Sequence, residues 1–134
     1  KLKVIIKDAH TKAWYGFIVK ALGGVGIDRS QRNNLVQFVV NEFKKDNFSL
    51  VITPEGTRSW VPKWRKGFYN MAIEAKVPIV IAAGDFKNKT IHLGKQISVH
   101  DLETRSFESI MQELEDYYKT ITPKYPEKWN SKIY

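Results

Sequence analysis

Apolar positions along the chain fall into short runs and helical stripes that alternate from end to end. Leu2, Val4, Ile5 and Ile6 form an apolar run, largely β-branched, that predicts a strand. Trp14, Phe17, Ile18, Ala21 and Leu22 recur at helical spacing, and Gly23-Gly24 is a helix-ending signal. Val25–Asp28 reads as a short extended piece. Ser30 is placed to cap a second helix, on which Leu35, Val36, Val39, Val40 and Phe43 share one face. Lys44 and Lys45 close that helix where its dipole favours cations.

Phe48–Thr53 is a compact apolar run stopped by Pro54, which has no N–H to give to a ladder. A polar and aromatic loop runs from Glu55 to Lys66. Phe68–Lys76 predicts a helix with Met71, Ala72 and Ala75 inward, and Val77-Pro78 leads into a buried-type strand, Ile79–Ala83. Weaker strands are expected at Thr90–Leu93 and Gln96–Val99. Phe107, Ile110, Met111, Leu114 and Tyr117 mark a last amphipathic helix, and an irregular aromatic tail follows from Thr122. This alternation predicts the α/β class, with a mixed, largely parallel sheet flanked by helices. No repeat or linker divides the 134 residues, so 1–134 reads as one domain.

Composition narrows the partners. Lys and Arg number 22 against 14 Asp and Glu, a formal charge of +8, which favours nucleic acid, phosphorylated small molecules or an acidic membrane surface. Cysteine is absent, which excludes disulfides, zinc fingers and thiol catalysis. No run approaches the ~18 apolar residues of a spanning helix, and Leu2–Ile6 reads as a strand rather than a signal peptide.

Three segments carry candidate chemistry. In Thr53-Pro54-Glu55-Gly56-Thr57-Arg58-Ser59 a strand breaks into a charged glycine turn at its carboxyl end, where open α/β sheets bind ligands. Arg58 offers a fork for phosphate or carboxylate, Thr57 and Ser59 add hydroxyls, and Glu55 adds a carboxylate. A capped, salt-bridged surface loop is an equally good reading of that chemistry alone. In Gly23-Gly24-Val25-Gly26-Ile27-Asp28-Arg29-Ser30 the third glycine of a dinucleotide fingerprint is replaced by Arg29, and no P-loop lysine follows. What remains is a glycine turn feeding a strand that presents Asp28 and Arg29. The third segment, from Trp60 to Tyr69, interleaves Lys63, Arg65 and Lys66 with Trp64 and Phe68. It suits stacked single-stranded bases, a membrane interface, a phosphate-bearing substrate, or aromatics folded back on the core. His10, His92 and His100 are scattered without metal-ligand spacing, no metal site is expected, and no Gly-x-Ser-x-Gly elbow exists.

Taken in order, these segments resemble the glycerolipid acyltransferase family, which includes the 1-acylglycerol-3-phosphate acyltransferases. Gly24-Val25-Gly26-Ile27-Asp28-Arg29 is similar to its second sequence block, Pro54-Glu55-Gly56-Thr57-Arg58-Ser59 to its third, and Val77-Pro78-Ile79-Val80 to its fourth. Lys66-Gly67 matches the lysine-glycine step before a helix. The resemblance implies transfer of a fatty acyl group from an acyl thioester to the hydroxyl of a lysophospholipid-type acceptor in phospholipid synthesis. Arg29, Glu55, Gly56, Thr57, Arg58 and Lys66 would then bind the acceptor. It implies no cofactor, with acyl-coenzyme A or acyl carrier protein as donor substrate, and a peripheral, cytoplasmic position at an anionic membrane surface.

The family's first block, His-x-x-x-x-Asp, supplies the general base and its orienting carboxylate. Here the aspartate positions after His10, His92 and His100 hold Tyr15, Ile97 and Arg105. The chain opens on Lys1 rather than Met, so the domain is expected to be N-terminally incomplete. The catalytic pair is expected upstream of Lys1, and the chain alone is expected to be inactive. Two rival readings are a basic nucleic-acid-binding module, which would show a steep salt dependence, and a catalytically silent lipid-binding relative. The resemblance itself implies no nucleic acid among the partners.

Overall fold

Parallel strands cannot be joined by a tight hairpin, so each pairing needs a crossover, and the first third of the chain provides two. The computed structural model describes residues 1–27 and 35–134. Within them the chain divides into two compact units, Lys1–Thr53 and Pro54–Tyr134.

In the first unit β1 (Leu2–Lys7) lies between β2 (Gly24–Ile27) and β3 (Ser49–Val51), parallel to both. Val4 pairs with Gly24 on one side and Val51 on the other. The first crossover carries α1 (Asp8–Lys12) and α2 (Gly16–Ala21), the second α3 (Leu35–Lys45). The single helix expected over Trp14–Leu22 is therefore shorter. α1 takes up the preceding residues, and a turn closed by Gly16 N–H donating to the Ala13 carbonyl (2.8 Å) separates the two helices. Trp14 is left on that turn, 88% exposed. Asp8–Lys12 lacks apolar periodicity, which is why the pattern did not reveal it.

Helix α3 buries Val39 and Val40, as its stripe predicts. Phe43 stacks on Phe48 with centroids 4.2 Å apart, and Lys3 lays its ammonium 3.9 Å from the Phe48 ring while pairing with Glu42. The proposed cap, Ser30, lies outside the described residues.

The second unit begins with the loop 54–66 and continues into α4 (Gly67–Ala75), which ends on Lys76 in the left-handed region (φ 52°). β4 (Ile79–Asp85) then pairs antiparallel with β5 (Thr90–Ile97) as a separate two-stranded sheet. Thus the α/β class and the helix-flanked parallel sheet hold, while the antiparallel strands form a hairpin of their own. Strand β4 is not buried on both faces: Ile81 and Asp85 point inward, Val80 and Ala82 outward, as a one-sided antiparallel sheet requires. The two weak strands prove to be one, continuous through Gly94. A side chain at Gly94 would meet the Tyr117 ring at 2.8 Å, so the glycine is there to let the helix that carries Tyr117 approach.

Helix α5 (Val99–Thr104) follows at once, starting at Val99, where the apolar pattern predicts the end of a strand. Its signal is a capping box: Ser98 Oγ accepts from Asp101 N–H (3.0 Å) and the Asp101 carboxylate accepts from Ser98 N–H (3.1 Å). Helix α6 (Phe107–Lys119) buries Ile110, Met111 and Leu114 against Ala72, Ile81, Ile97 and Leu102. The tail makes a 3₁₀ turn at Pro126–Lys128 and returns Ile133 to that core, where it has no exposed surface.

Candidate anion-binding loop

The loop after β3 is a closed one. Arg65 N–H donates to the Pro54 carbonyl at 3.0 Å, so the chain leaves the strand, turns through Glu55–Trp64 and comes back beside its start. Gly56 makes the turn with φ 71°, and a Cβ there would stand 2.9 Å from Arg65 Nε. The backbone therefore requires glycine, whereas the exposed Arg65 side chain beside it is free to shift. Gly56→Ala should cost about 1–2 kcal/mol from the left-handed backbone alone, read as a lowered urea midpoint. Thr57 Oγ1 accepts from Ser59 N–H at 3.2 Å, which holds the next turn and leaves Arg58 exposed between them.

The other side of the loop is held by the tail. Asn130 Nδ2 donates to the Pro62 carbonyl (2.7 Å) and the Val61 carbonyl (3.2 Å). Trp64 N–H donates to the Ile133 carbonyl at 2.8 Å. Ile133 N–H donates in turn to Glu115 Oε2 (3.1 Å), whose other oxygen pairs with Lys119 at 2.7 Å. Loop, tail and α6 thus form one hydrogen-bonded chain. Sequence reasoning assigned nothing to Asn130, Glu115 or Ile133, because their partners lie far off in sequence and leave no local pattern.

The aromatic residues of the loop divide. Trp64 packs edge-on against Tyr118 (5.1 Å) and Phe68 (6.2 Å), and Tyr69 against Phe107 (4.9 Å). All belong to the core margin, whereas Trp60 is exposed. The cations divide likewise. The Lys66 ammonium sits 4.2 Å from the Phe107 ring centroid, while Arg58, Lys63 and Arg65 are exposed and in no ion pair among the described residues. Glu55 is half-buried, and desolvation pushes its carboxyl above the ordinary range. Tyr118 donates to the Ala82 carbonyl (2.9 Å); burial raises its phenol first, then Tyr117, with Glu55 adding a smaller push. An exposed loop whose Arg58, Lys63 and Arg65 are in no ion pair among the described residues is suited to an anion.

Of the residues expected to bind substrate, Glu55, Gly56, Thr57 and Arg58 share this loop, and Lys66 closes it from the start of α4. Arg29 lies outside the described residues. His92 Nε2 is 2.8 Å from Thr90 Oγ1 on β5, and His100 is exposed in the first turn of α5. The carboxylate next to His100, Asp101, is engaged in its helix cap, and that hydrogen bonding to Ser98 holds it below the ordinary range.

Comparison with known proteins settles the family. A sequence model of the family described as Acyltransferase matches residues 1–83, well over half of the chain. The chain belongs to the acyltransferase family. The chain is 34% identical over 83 residues to a 1-acyl-sn-glycerol-3-phosphate acyltransferase of Salmonella typhimurium, covering 57% of this chain and 34% of that protein. It is 32% identical over 88 residues to the protein of that name from Escherichia coli, covering 61% and 36%. An uncharacterized acyltransferase of Schizosaccharomyces pombe is 36% identical over 64 residues, covering 42% and 23%. The chain thus spans only about a quarter to a third of the length of these relatives. No solved structure matches it significantly. The family match contains the glycine strand, the loop and the Val77-Pro78 entry to β4, and it ends at Ala83. Hence the tail that clamps the acyltransferase loop lies wholly beyond the matched residues. Among the described residues no helix is long and apolar enough to cross a membrane.

Proposed function

We propose that this acyltransferase chain forms the acceptor-binding part of an enzyme of phospholipid synthesis. The enzyme moves a fatty acyl group from an acyl thioester to the hydroxyl of a lysophospholipid-type acceptor. The carrying observation is the loop Pro54–Lys66, closed on itself and clamped by the tail, with Arg58, Lys63 and Arg65 exposed and unpaired by carboxylates among the described residues. In the reaction the acceptor oxygen forms a bond to the thioester carbonyl carbon, the carbon–sulfur bond breaks, and the hydroxyl proton passes to the departing thiolate. Arg58 is assigned the acceptor phosphate, because a planar cation can bind two phosphate oxygens at once. Arg29, Thr57 and Lys66 are assigned to acceptor binding by resemblance to the family blocks, with Gly56 shaping the turn.

Glu55 cannot itself attract a phosphate. Its half-buried carboxyl suits a hydrogen bond to an acceptor hydroxyl or to a neighbouring donor. No loop residue is assigned the role of base. The donor is proposed to be acyl-coenzyme A or acyl carrier protein, and the chain to work peripherally at the cytoplasmic, anionic membrane surface where its acceptor resides. A nucleic-acid platform is disfavoured by the packing of Trp64, Phe68 and Tyr69 on the core, which leaves Trp60 alone of the loop aromatics to stack a base.

The test is a titration of the chain with 1-acylglycerol 3-phosphate and with the same monoacylglycerol lacking phosphate. The phosphate-bearing lipid should bind tighter, and Arg58→Ala should weaken it about ten- to a hundredfold, as loss of a charge-assisted hydrogen bond does. An Arg58→Ala chain that keeps the full preference for the phosphate would overturn the assignment.

A further inference from the structure

The hairpin β4–β5 carries a second cationic surface that the acceptor loop does not use. Its tip, Phe86 to Lys89, is tied to the tail by Phe86 N–H donating to the Thr122 carbonyl at 3.0 Å. That bond brings Lys124, Tyr125 and Lys128 beside the tip. The Lys124 ammonium lies 5.8 Å from the Phe86 ring centroid and 5.2 Å from that of Tyr125, and the Lys128 ammonium is 4.7 Å from Tyr125. Lys87 and Lys89 complete a set of four exposed lysines, none in an ion pair among the described residues. Two carboxylates are near in sequence. Asp85 is buried and accepts from Asn88 N–H (3.1 Å) and Nδ2 (2.8 Å); Glu127 is exposed.

The face between these cations is apolar. Gly84 pairs with Ile91 and Ala82 with Leu93, on the outward side of the hairpin. The Phe86 ring folds over Gly84, 3.6 Å from where its Cβ would stand, so it joins that same side. Phe86 is 55%, Ile91 85% and Leu93 79% exposed. Exposed aromatic and aliphatic side chains on the hairpin, with lysines at its tip and on the adjoining tail, are the composition of an interfacial anchor. A bilayer needs no matching cavity, and its anionic headgroups complement a cluster that holds four lysines and one exposed carboxylate.

We infer that the β4–β5 tip and the 122–128 tail form a docking surface for anionic phospholipid bilayers, with Phe86, Ile91 and Leu93 entering the headgroup region and the lysines holding the lipid phosphates. This rests on the acyltransferase reading above and adds the place where the chain meets its membrane.

The experiment is flotation of the chain with vesicles of one part phosphatidylglycerol to two parts phosphatidylcholine, and with phosphatidylcholine alone. Binding should favour the anionic vesicles and weaken as salt rises. Lys87→Gln with Lys124→Gln should lower it roughly twentyfold or more, at about fivefold per lysine. Because the chain has no cysteine, Ile91→Cys can carry a single environment-sensitive dye, whose emission should shift blue on the anionic vesicles. These positions are exposed, so thermal melts should match wild type. Wild-type flotation by the lysine double variant, or an unshifted dye, would overturn the inference. So would a single-stranded oligonucleotide that displaces the vesicles and loses affinity with the same lysines. Arg58→Ala keeps the two readings apart: it should lose acceptor preference yet float as wild type does. If it loses that preference while the lysine double variant floats unchanged, the loop assignment stands and the docking surface falls.

Discussion

Ile133→Ala should destabilise the unit Pro54–Tyr134 by about 2–5 kcal/mol, the range for truncating a buried aliphatic side chain. Ile133 lies past the 3₁₀ turn, in a segment outside any helix or strand. Here it has no exposed surface and sits among Ala72, Ile81, Ile97, Leu102, Ile110, Met111 and Leu114. Truncation would leave a cavity lined by α4, both strands of the hairpin and α6, which cannot all shift to close it. The comparison is Ile91→Ala, the same chemistry on an 85% exposed residue, which should change stability by about 0.5 kcal/mol or less. Urea unfolding is the measurement, with the midpoint falling and the slope unchanged. Equal effects at the two positions would show that the tail does not complete this core. Because the Ile133 carbonyl also accepts the Trp64 N–H, loosening the tail should loosen the acceptor loop with it.

Glu115→Ala should cost about 1–3 kcal/mol, chiefly because the buried Ile133 N–H loses its acceptor. The ion pair with Lys119 contributes less, since that lysine is 45% exposed and solvent screens it. Glu115→Gln keeps an amide oxygen for the Ile133 N–H and should recover most of the loss. The pair also carries a pH signature. The Lys119 hydrogen bond, and then the Ile133 N–H, hold the Glu115 carboxyl below the ordinary glutamate range. A depressed carboxyl contributes fully above its unfolded value and loses that contribution as pH falls through the folded value. The stability gap between wild type and Glu115→Gln should therefore shrink on acidification. Glu42, Glu113, Asp85 and Asp101 are lowered as well, but they are common to both proteins and cancel in the difference. A gap that stayed constant into acid would show that the Glu115 charge carries none of this stability.

These two sites mark the boundary of what the sequence shows. Several elements are where periodicity places them: β1, the buried Val39 and Val40 of α3, the inner face of α6. The loop residues Glu55–Arg58 were also legible, since a proline break, a glycine that must take positive φ and a charged turn are local chemistry. Helix α5 could have been found too, for Ser98-x-x-Asp101 is a capping pattern.

Tertiary structure alone decided the partners. An apolar run specifies that a face is buried, and its length or alternation does not name the surface that buries it. So Ile79–Ala83 reads as a buried-type strand, and only the pairing of Ile79–Asp85 with Thr90–Ile97 makes it half of a hairpin with an outward face. The loop aromatics satisfied four readings in sequence, and the edge contacts of Trp64 with Tyr118 and Phe68 place those rings against the core while Trp60 stays exposed. The tail looked irregular because its order comes from Asn130 reaching carbonyls 68 and 69 residues away. A hydrogen bond across that distance imposes no spacing on its neighbours, so nothing local could announce it. By itself the sequence determined most of the elements and the residues of the loop motif; the fold determined that the tail holds the far side of that loop, at Val61, Pro62 and Trp64.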